Sequence, residues 1–410
     1  MELQHQPEQR SVHMWNIIGL FAIAVNLRAA ITSVGPLINQ IREETGLSSG
    51  MSGMLTALPL LAFALLSPIA PKLAKRWGQE VTIGASMLVL AIGLIIRYLP
   101  ALSTLYMGTA IIGVGIAICN VLLPSYVVRK FPPSKIGRMT GLYSIALGMF
   151  AAVSAAVSVP LATAFGWRGS LFSWIVLLVV SWFLFLPQII AGRREAAQQE
   201  KIQTATVAQH QEPKGKLWSS KVAWYVALFM GLQSFGAYVL YAWMPALVAD
   251  RGFSASTSAL MLTIVQLVNM PSMFLATSFA SRNRSQSLII VCIAVVGLVG
   301  YSSLFTSSLL IIIVGSVLIG ICQGGSFSVA LYMISIRARG SQQAAELSGM
   351  AQAIGYTLAA TGPILFGWLH DQSGNWSVPL IFLLMLTCLQ LIFGYLAGKD
   401  RYVTAAPEVH

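Results

Sequence analysis

Twelve apolar stretches, each about as long as a helix needs to cross a bilayer, follow one another from Trp15 to Ala397 with short polar turns between them. The pattern predicts spanning helices at 15–38, 51–70, 81–99, 103–127, 140–164, 169–190, 221–248, 256–279, 286–305, 307–333, 346–369 and 377–397. The runs are too long and too seldom alternating for barrel strands. The longest polar stretch, 191–220, scatters Gln198, Gln199, Gln203, Gln209 and Gln211 among charges without apolar periodicity, and reads as a flexible linker. The expected fold is therefore an all-α membrane protein. A tail at 1–14 leads to a six-helix bundle at 15–190, and the linker leads to a second bundle at 221–397 and a tail at 398–410. The first run is long and has no convincing cleavage site, so it reads as a first span rather than a signal peptide.

The two bundles repeat each other. Trp15 and Pro36 are 21 residues apart, as are Trp224 and Pro245. Gly46-Leu47-Ser48 precedes the second span and Gly252-Phe253-Ser254 the eighth, with Arg76 and Arg282 each 30 residues beyond the glycine. Ile118-Cys119-Asn120 in the fourth span matches Ile321-Cys322-Gln323 in the tenth. Gly141 lies 26 before Trp167 and Gly349 lies 27 before Trp376. Matches in the same order indicate a duplicated, pseudo-symmetric six-helix unit. Transporters use such units to rock two halves about a site at the bilayer midplane.

Composition sharpens this picture. The chain is 56% hydrophobic and 9% charged, too few charges to clothe a water-soluble surface, which carries about 25%. The net charge of +12 marks topology rather than nucleic-acid binding, because the basic residues sit in short loops. With the N-terminus inside, twenty of the 25 Lys and Arg fall on cytoplasmic segments, and Arg42, Arg97, Arg168 and Arg251 fall on outer ones. The bias predicts both termini in the cytoplasm. Cys119, Cys292, Cys322 and Cys388 all lie in apolar runs without metal-ligand spacing, and read as packing residues. The chain carries no GxxxxGK[ST] loop and no His-Glu-x-x-His motif, so neither an ATP-driven pump nor a zinc enzyme is expected. No cofactor or metal is expected either.

The remaining cation, Arg28, is the most informative residue. It lies 13 residues after Trp15, about 20 Å along a helix and too deep in a core of about 30 Å to snorkel out easily. Such an Arg costs at least about 2.5–3.5 kcal/mol on insertion scales. The thirteen acidic residues all fall in tails, loops or helix ends. Either an anionic or electron-rich substrate answers this charge, or carbonyls, waters and helix dipoles do; intramembrane ionisable residues favour the first. Thr32 shares the face of Arg28, and Pro36 frees a carbonyl beyond it. Asn26 points roughly the opposite way and could be glue between helices. The repeat places Ala237 opposite Arg28, with Gln233 and Tyr241 on its face. Asn120 and Gln323, Gln266 and Asn269, and Gln352 and Tyr356 are further polar candidates within spans. Each alone fits glue as well as a substrate contact; together they fit a polar site around one Arg. No histidine lies mid-span, so a proton relay is not visible and the coupling ion stays open.

Asn26-Leu-Arg28-Ala-Ala-Ile-Thr32-Ser33-Val-Gly35-Pro36-Leu resembles the first-helix motif N-L-R-x-x-x-T-S-V-G-P-L of the cyanate and nitroimidazole transporter branch of the major facilitator superfamily. The twelve helices, the central linker and the basic loops resemble that superfamily over essentially the whole chain. Its loop motif after the second helix is G-x-x-x-D-R-x-G-R-R, and here Arg76 and Gly78 match while Pro71, Lys75, Gln79 and Glu80 depart. The missing Asp sets aside the usual charge relay of that loop. The resemblance implies alternating access around a central cavity, with Arg28 and Thr32 as leading substrate residues. It also implies small anions or flat nitrogen-containing molecules as substrates.

The expected protein is thus a monomeric inner-membrane carrier, not an enzyme. Its partners are the lipid bilayer and a small solute, not nucleic acid. Arg76, Gly78, Arg129, Arg138 and Arg282 are candidates for a cytoplasmic gate, although topology alone also explains the arginines. A drug exporter is the nearest alternative, but it usually needs a membrane carboxylate where this sequence offers a cation. A sensor or membrane enzyme would need a catalytic cluster or an added domain, which a polar stretch of about 30 residues cannot supply.

Overall fold

A computed structural model describes residues 5–47, 49–205 and 217–403. The first predicted span is one broken path: α1 (His5–Ala24), α2 (Asn26–Thr32), a 3-10 turn (Gly35–Leu37) and α3 (Ile38–Thr45). The second is α4 (Ser49–Leu66) and α5 (Ala70–Trp77). Then come α6 (Gln79–Tyr98), α7 (Leu102–Lys130), α8 (Pro133–Phe172) and α9 (Trp174–Ala205). The later half is α10 (Lys221–Asp250), α11 (Ala255–Ala280), α12 (Ser287–Ser302), α13 (Leu309–Arg337), α14 (Ser341–Ser373) and α15 (Ser377–Gly398). Every predicted span has a helix at its place.

Among the described residues ten helices are long and apolar enough to cross a membrane, or eleven if the bent pair Ala57–Leu66 and Ala70–Trp77, inclined at 59°, is one span. The remaining place belongs to α14, which has 33 residues but is thinned of hydrophobic character by Gln342, Gln343, Glu346, Gln352 and Thr361. Two polar segments differ from expectation. The tail before residue 15 is helical from His5, and α9 runs fifteen residues into the predicted linker, to Ala205. Its end, Arg-Arg-Glu-Ala-Ala-Gln-Gln-Glu-Lys, is rich in strong helix formers and needs no apolar face to be helical. Linker residues 206–216 and Ser48 lie outside the described residues.

The chain forms two compact units, Met1–Lys130 with Ala146–Lys214, and Phe131–Ile145 with Gly215–His410. Their boundary departs from a simple split at the linker because residues 131–145 of α8 pack with the second unit. There Gly137 abuts Ser281 and Tyr332, and Gly141 abuts Phe274 and Thr277. Within the units the packing repeats. In the first, α7 packs on α1, α4 and α6, while α9 packs on α1 and α6. In the second, α13 packs on α10, α11 and α12, while α15 packs on α10 and α12.

Glycines fix the register of that repeat. A Cβ on Gly93 would lie 2.7 Å from Ile112 N and 2.9 Å from Gly108 O. One on Gly300 would lie 2.9 Å from Ile319 N and 3.1 Å from Gly315 O. All three pairs of positions are 207 residues apart, so only a missing side chain lets these helices touch at backbone distance. This register corrects the match of Asn120 with Gln323, which are 203 apart: Asn120 corresponds to Phe327, and Gln323 to Ile116. A three-letter likeness misled by one helical turn. The tryptophans also repeat. Gly166 (φ 71°) and Gly374 (φ 66°) make left-handed turns that suit glycine. Beyond them Trp167 packs with Val34, Leu37 and Ile41, and Trp376 packs with Val239, Leu240 and Met244.

Candidate functional site

In the first unit the site is built on α2. This seven-residue helix follows α1 through Val25, which keeps helical angles (φ −62°, ψ −28°) and donates to Phe21 O at 3.0 Å, and it ends where Val34 N–H turns back to Ile31 O, 3.3 Å away. A regular helix would have sent that N–H to Ala30 O. Pro36 follows inside the 3-10 turn, because its ring removes a donor and clashes with a regular preceding turn. On α2, Asn26, Leu27, Ala29 and Ala30 are buried, whereas Arg28 and Thr32 are half-buried. Ile31 is half-buried as well, so the partly accessible side of α2 carries Arg28 and Thr32, predicted to share a face, together with one apolar residue. Thr32 Oγ1 donates to Arg28 O at 2.9 Å and lies 2.5 Å from Ser154 Oγ on α8. Asn26 Nδ2 donates back to Ala22 O at 2.8 Å within the same path, the glue role rather than the open face. Asn120 is buried on α7.

Sequence reasoning placed Arg97 in an outer loop, and the structure corrects this. Arg97 ends α6 with 2% of its surface exposed. Its guanidinium donates to Ala30 O at 2.9 Å and to Leu171 O at 3.2 Å. Leu171 precedes the turn at Ser173 that separates α8 from α9. Nearby, Trp167 Nε1 donates to Glu44 at 2.7 Å, and Arg168 lies over the Trp167 ring with its charge 3.9 Å from Glu44.

In the second unit the predicted polar residues divide by surroundings. Gln233 Nε2 donates to Ser234 Oγ at 2.7 Å, Gln323 Nε2 to Tyr301 OH at 2.5 Å, and Gln352 Nε2 to Ser348 Oγ at 2.8 Å. Asn269 and Tyr356 are buried. Gln266 is exposed, and so is Tyr241, whose ring meets Tyr238 edge-on at 5.9 Å. Gln266 and Asn269 thus do not share one environment, although three residues apart. Trp243 is a packing residue: its Nε1 donates to Pro363 O at 2.8 Å and its ring lies 5.7 Å from that of Trp376. A cavity of only about 10 Å³ beside it is lined by side chains such as Leu240, Met244 and Phe366, too small and too apolar for a polar solute.

The gate candidates are equally uneven. Arg76, Arg138 and Arg282 are exposed, Arg282 resting over the Phe279 ring at 5.3 Å. Gly78 joins α5 to α6 at φ 87°, a conformation that favours glycine. Arg129 has a partner that the sequence did not reveal. Glu80 is 1% exposed, and its carboxylate takes Lys130 at 2.9 Å and Arg129 at 3.3 Å. The equivalent place in the second unit, 207 residues beyond Lys130, holds Arg337. Buried to 2%, it donates to Ala397 O at 3.1 Å, Gly398 O at 2.9 Å and Gln286 Oε1, with Asp400 at 3.5 Å. Each unit thus ties the end of one helix to the start of another through a basic residue.

Residues 20–356 match the Major Facilitator Superfamily. The chain belongs to that superfamily. This facilitator is 42% identical over 404 residues, 98% of each chain, to the uncharacterized transporter YycB of Bacillus subtilis (strain 168). It is 39% identical over 391 residues to the 2-nitroimidazole transporter of Escherichia coli (strain K12), covering 94% of this chain and 96% of that one. With the cyanate transport protein CynX of the same organism it shares 28% over 368 residues, 89% and 92% of the two chains. Those relatives place it in the cyanate and nitroimidazole branch, as the motif around Arg28 implied. The facilitator fold is shared with a double-tryptophan mutant of XylE at a TM-score of 0.77, 13% identity and 97% coverage of both chains. Outward-facing FucP matches at 0.70 and 13%, over 94% and 98%. The protein is a transporter of the facilitator type.

Proposed function

We propose that this facilitator carries a small anionic or flat polar heterocyclic solute, of the cyanate and nitroimidazole kind, by alternating access across the bacterial inner membrane. Both termini lie in the cytoplasm, as the basic loops require. The reading rests on one observation above all: Arg28 is half-buried within the first span, one turn before its helix gives way to a 3-10 turn, while Asn26, Leu27, Ala29 and Ala30 around it are packed. A guanidinium offers five donors in a planar fork, which suits the paired oxygens of a nitro group or a carboxylate and the charge of a small anion. Thr32, one turn on, adds a hydroxyl on the same face. Asn120 of the first unit and Gln233, Tyr241, Gln266, Asn269, Gln323, Gln352 and Tyr356 of the second are neutral donors and acceptors. They can sort solutes by hydrogen bonding without adding charge.

The relatives named for 2-nitroimidazole and cyanate support the same class of solute. The test is uptake of labelled 2-nitroimidazole and labelled cyanate into proteoliposomes by wild type, Arg28→Ala and Arg28→Lys. Arg28→Ala is expected to lose uptake by about a hundredfold, as for a charge-assisted pair of about 3 kcal/mol, and Arg28→Lys to recover part of it. Normal uptake by a well-folded Arg28→Ala protein would refute the assignment.

A further inference from the structure

We infer that Arg97 is a positioning residue for substrate binding: it clamps the Arg28-bearing helix α2 against the break between α8 and α9, and so sets where Arg28 stands. The inference rests on the reading of Arg28 given above. Three observations carry it. First, Arg97 is an arginine with 2% exposure that donates to two main-chain carbonyls, Ala30 O and Leu171 O. A buried guanidinium is costly in a membrane protein and is kept where its donors are needed.

Second, both carbonyls stand at interruptions. Ala30 O is the acceptor that α2 abandons when Val34 N–H turns back to Ile31 O. Leu171 O lies between the kink of α8 at Gly166 (φ 71°, ψ 164°) and the turn at Ser173 that opens α9. Broken helices at membrane depth persist only where other groups take up the freed backbone positions. One fork supplies a donor to each break, so two interrupted spans are held at a fixed separation by a single planar group.

Third, the chain makes room for it. A Cβ on Gly108 would lie 2.6 Å from Arg97 Cβ and 2.7 Å from Arg97 Cα. The α6–α7 crossing at this glycine therefore fixes the depth from which the guanidinium reaches out. Ala30 is two residues from Arg28 on a seven-residue helix. A shift of α2 by a fraction of an ångström is transmitted directly to the substrate-facing cation, and positioning errors of about 1 Å can cost a hundredfold in rate.

The experiment uses the full chain with the exposed Cys292 and Cys388 replaced by Ser and a reporter pair, Thr32→Cys with Ser154→Cys, introduced where the two hydroxyls lie 2.5 Å apart. That spacing suits a disulfide, so copper-phenanthroline oxidation reads the seat of α2 without any transport. Arg97→Lys keeps the charge but ends in one compact ammonium that cannot fork between two carbonyls. Gly108→Ala keeps every charge and displaces Arg97 instead.

Both are expected to slow cross-linking severalfold. In the cysteine-free-surface protein without the reporter pair, both are expected to raise the KM for 2-nitroimidazole uptake by about tenfold, the loss of one charge-assisted hydrogen bond, with Vmax changed less. If Gly108→Ala does not fold, Arg97→Lys alone decides. Cross-linking at the wild-type rate in Arg97→Lys would overturn the inference. So would a lowered melting temperature with an unchanged KM, which marks a merely structural role. Slowed cross-linking together with normal uptake by Arg28→Ala would instead sink the substrate reading and leave the clamp standing.

Discussion

Replacing Arg337 by Met would strip the second unit of its buried tie while keeping most of the side-chain volume. The guanidinium donates to the last carbonyls of α15, Ala397 O and Gly398 O, and to Gln286 Oε1 at the start of α12. Asp400 adds a charge at 3.5 Å but is 49% exposed, so solvent screening leaves it worth less than about 1 kcal/mol. Breaking a buried charged group away from its partners costs about 3–5 kcal/mol, and the lower end applies here because the helix-end carbonyls lie near water. At about 2–4 °C per kcal/mol for a unit of this size, melting is expected to fall by roughly 6–12 °C. Cys322 is buried in the second unit and Cys119 in the first. A thiol-reactive fluorogenic dye on detergent-purified protein with only one of them retained therefore reads each unit separately. The fall should appear at Cys322, and Asp400→Ala should move it by no more than about 2 °C, a fraction of a kcal/mol. A wild-type melting curve for Arg337→Met at Cys322 would show that the tie contributes nothing to stability.

Two further outcomes follow from repeated geometry. Gly93→Ala and Gly300→Ala each drive a methyl into the backbone of the facing helix. They should destabilise by similar amounts, about 1–3 kcal/mol each, read as a fall of roughly 2–12 °C in melting temperature, whereas Gly35→Ala, with nothing within 4 Å of the added carbon, should leave it unchanged. A silent Gly300→Ala beside a damaging Gly93→Ala would contradict the shared register. Glu80→Gln leaves Arg129 and Lys130 without their carboxylate. It should destabilise the first unit in the Cys119 read-out, and adding Lys130→Met should restore part of the loss; additive effects of the two changes would deny the coupling.

The helices were legible because hydropathy over about 20 residues is a strong signal, and Arg28 stood out as a candidate because an ionisable residue at mid-span is rare. What escaped lies at span ends. Arg97, Arg337 and Glu80 each sit where sequence alone cannot separate a buried group from an exposed one. A basic residue in the last turn of a span looks the same whether it faces water or a neighbouring carbonyl. The match of Asn120 with Gln323 failed for a different reason: local letters outweighed the steady spacing of the flanking repeats. Gly108 next to Gly93, and Gly315 next to Gly300, carried the register all along, because close backbone crossings tolerate no side chain. The helix beyond residue 190 was missed because a helix of Glu, Gln, Ala and Lys needs no apolar stripe.

The place of Arg97 in the second unit is taken by Leu304, 207 residues on and fully buried among apolar side chains, and the same spacing puts buried Phe235 at the place of Arg28. Duplication thus preserved the spacers and let the cations diverge, and the halves are no longer interchangeable. A protein assembled from two copies of the first half would carry four such guanidiniums in its spans, and one assembled from two second halves would carry none of them. If Arg28 meets the solute as proposed, its charge is handled by one half of a duplicated protein, and altering that preference calls for editing a single half.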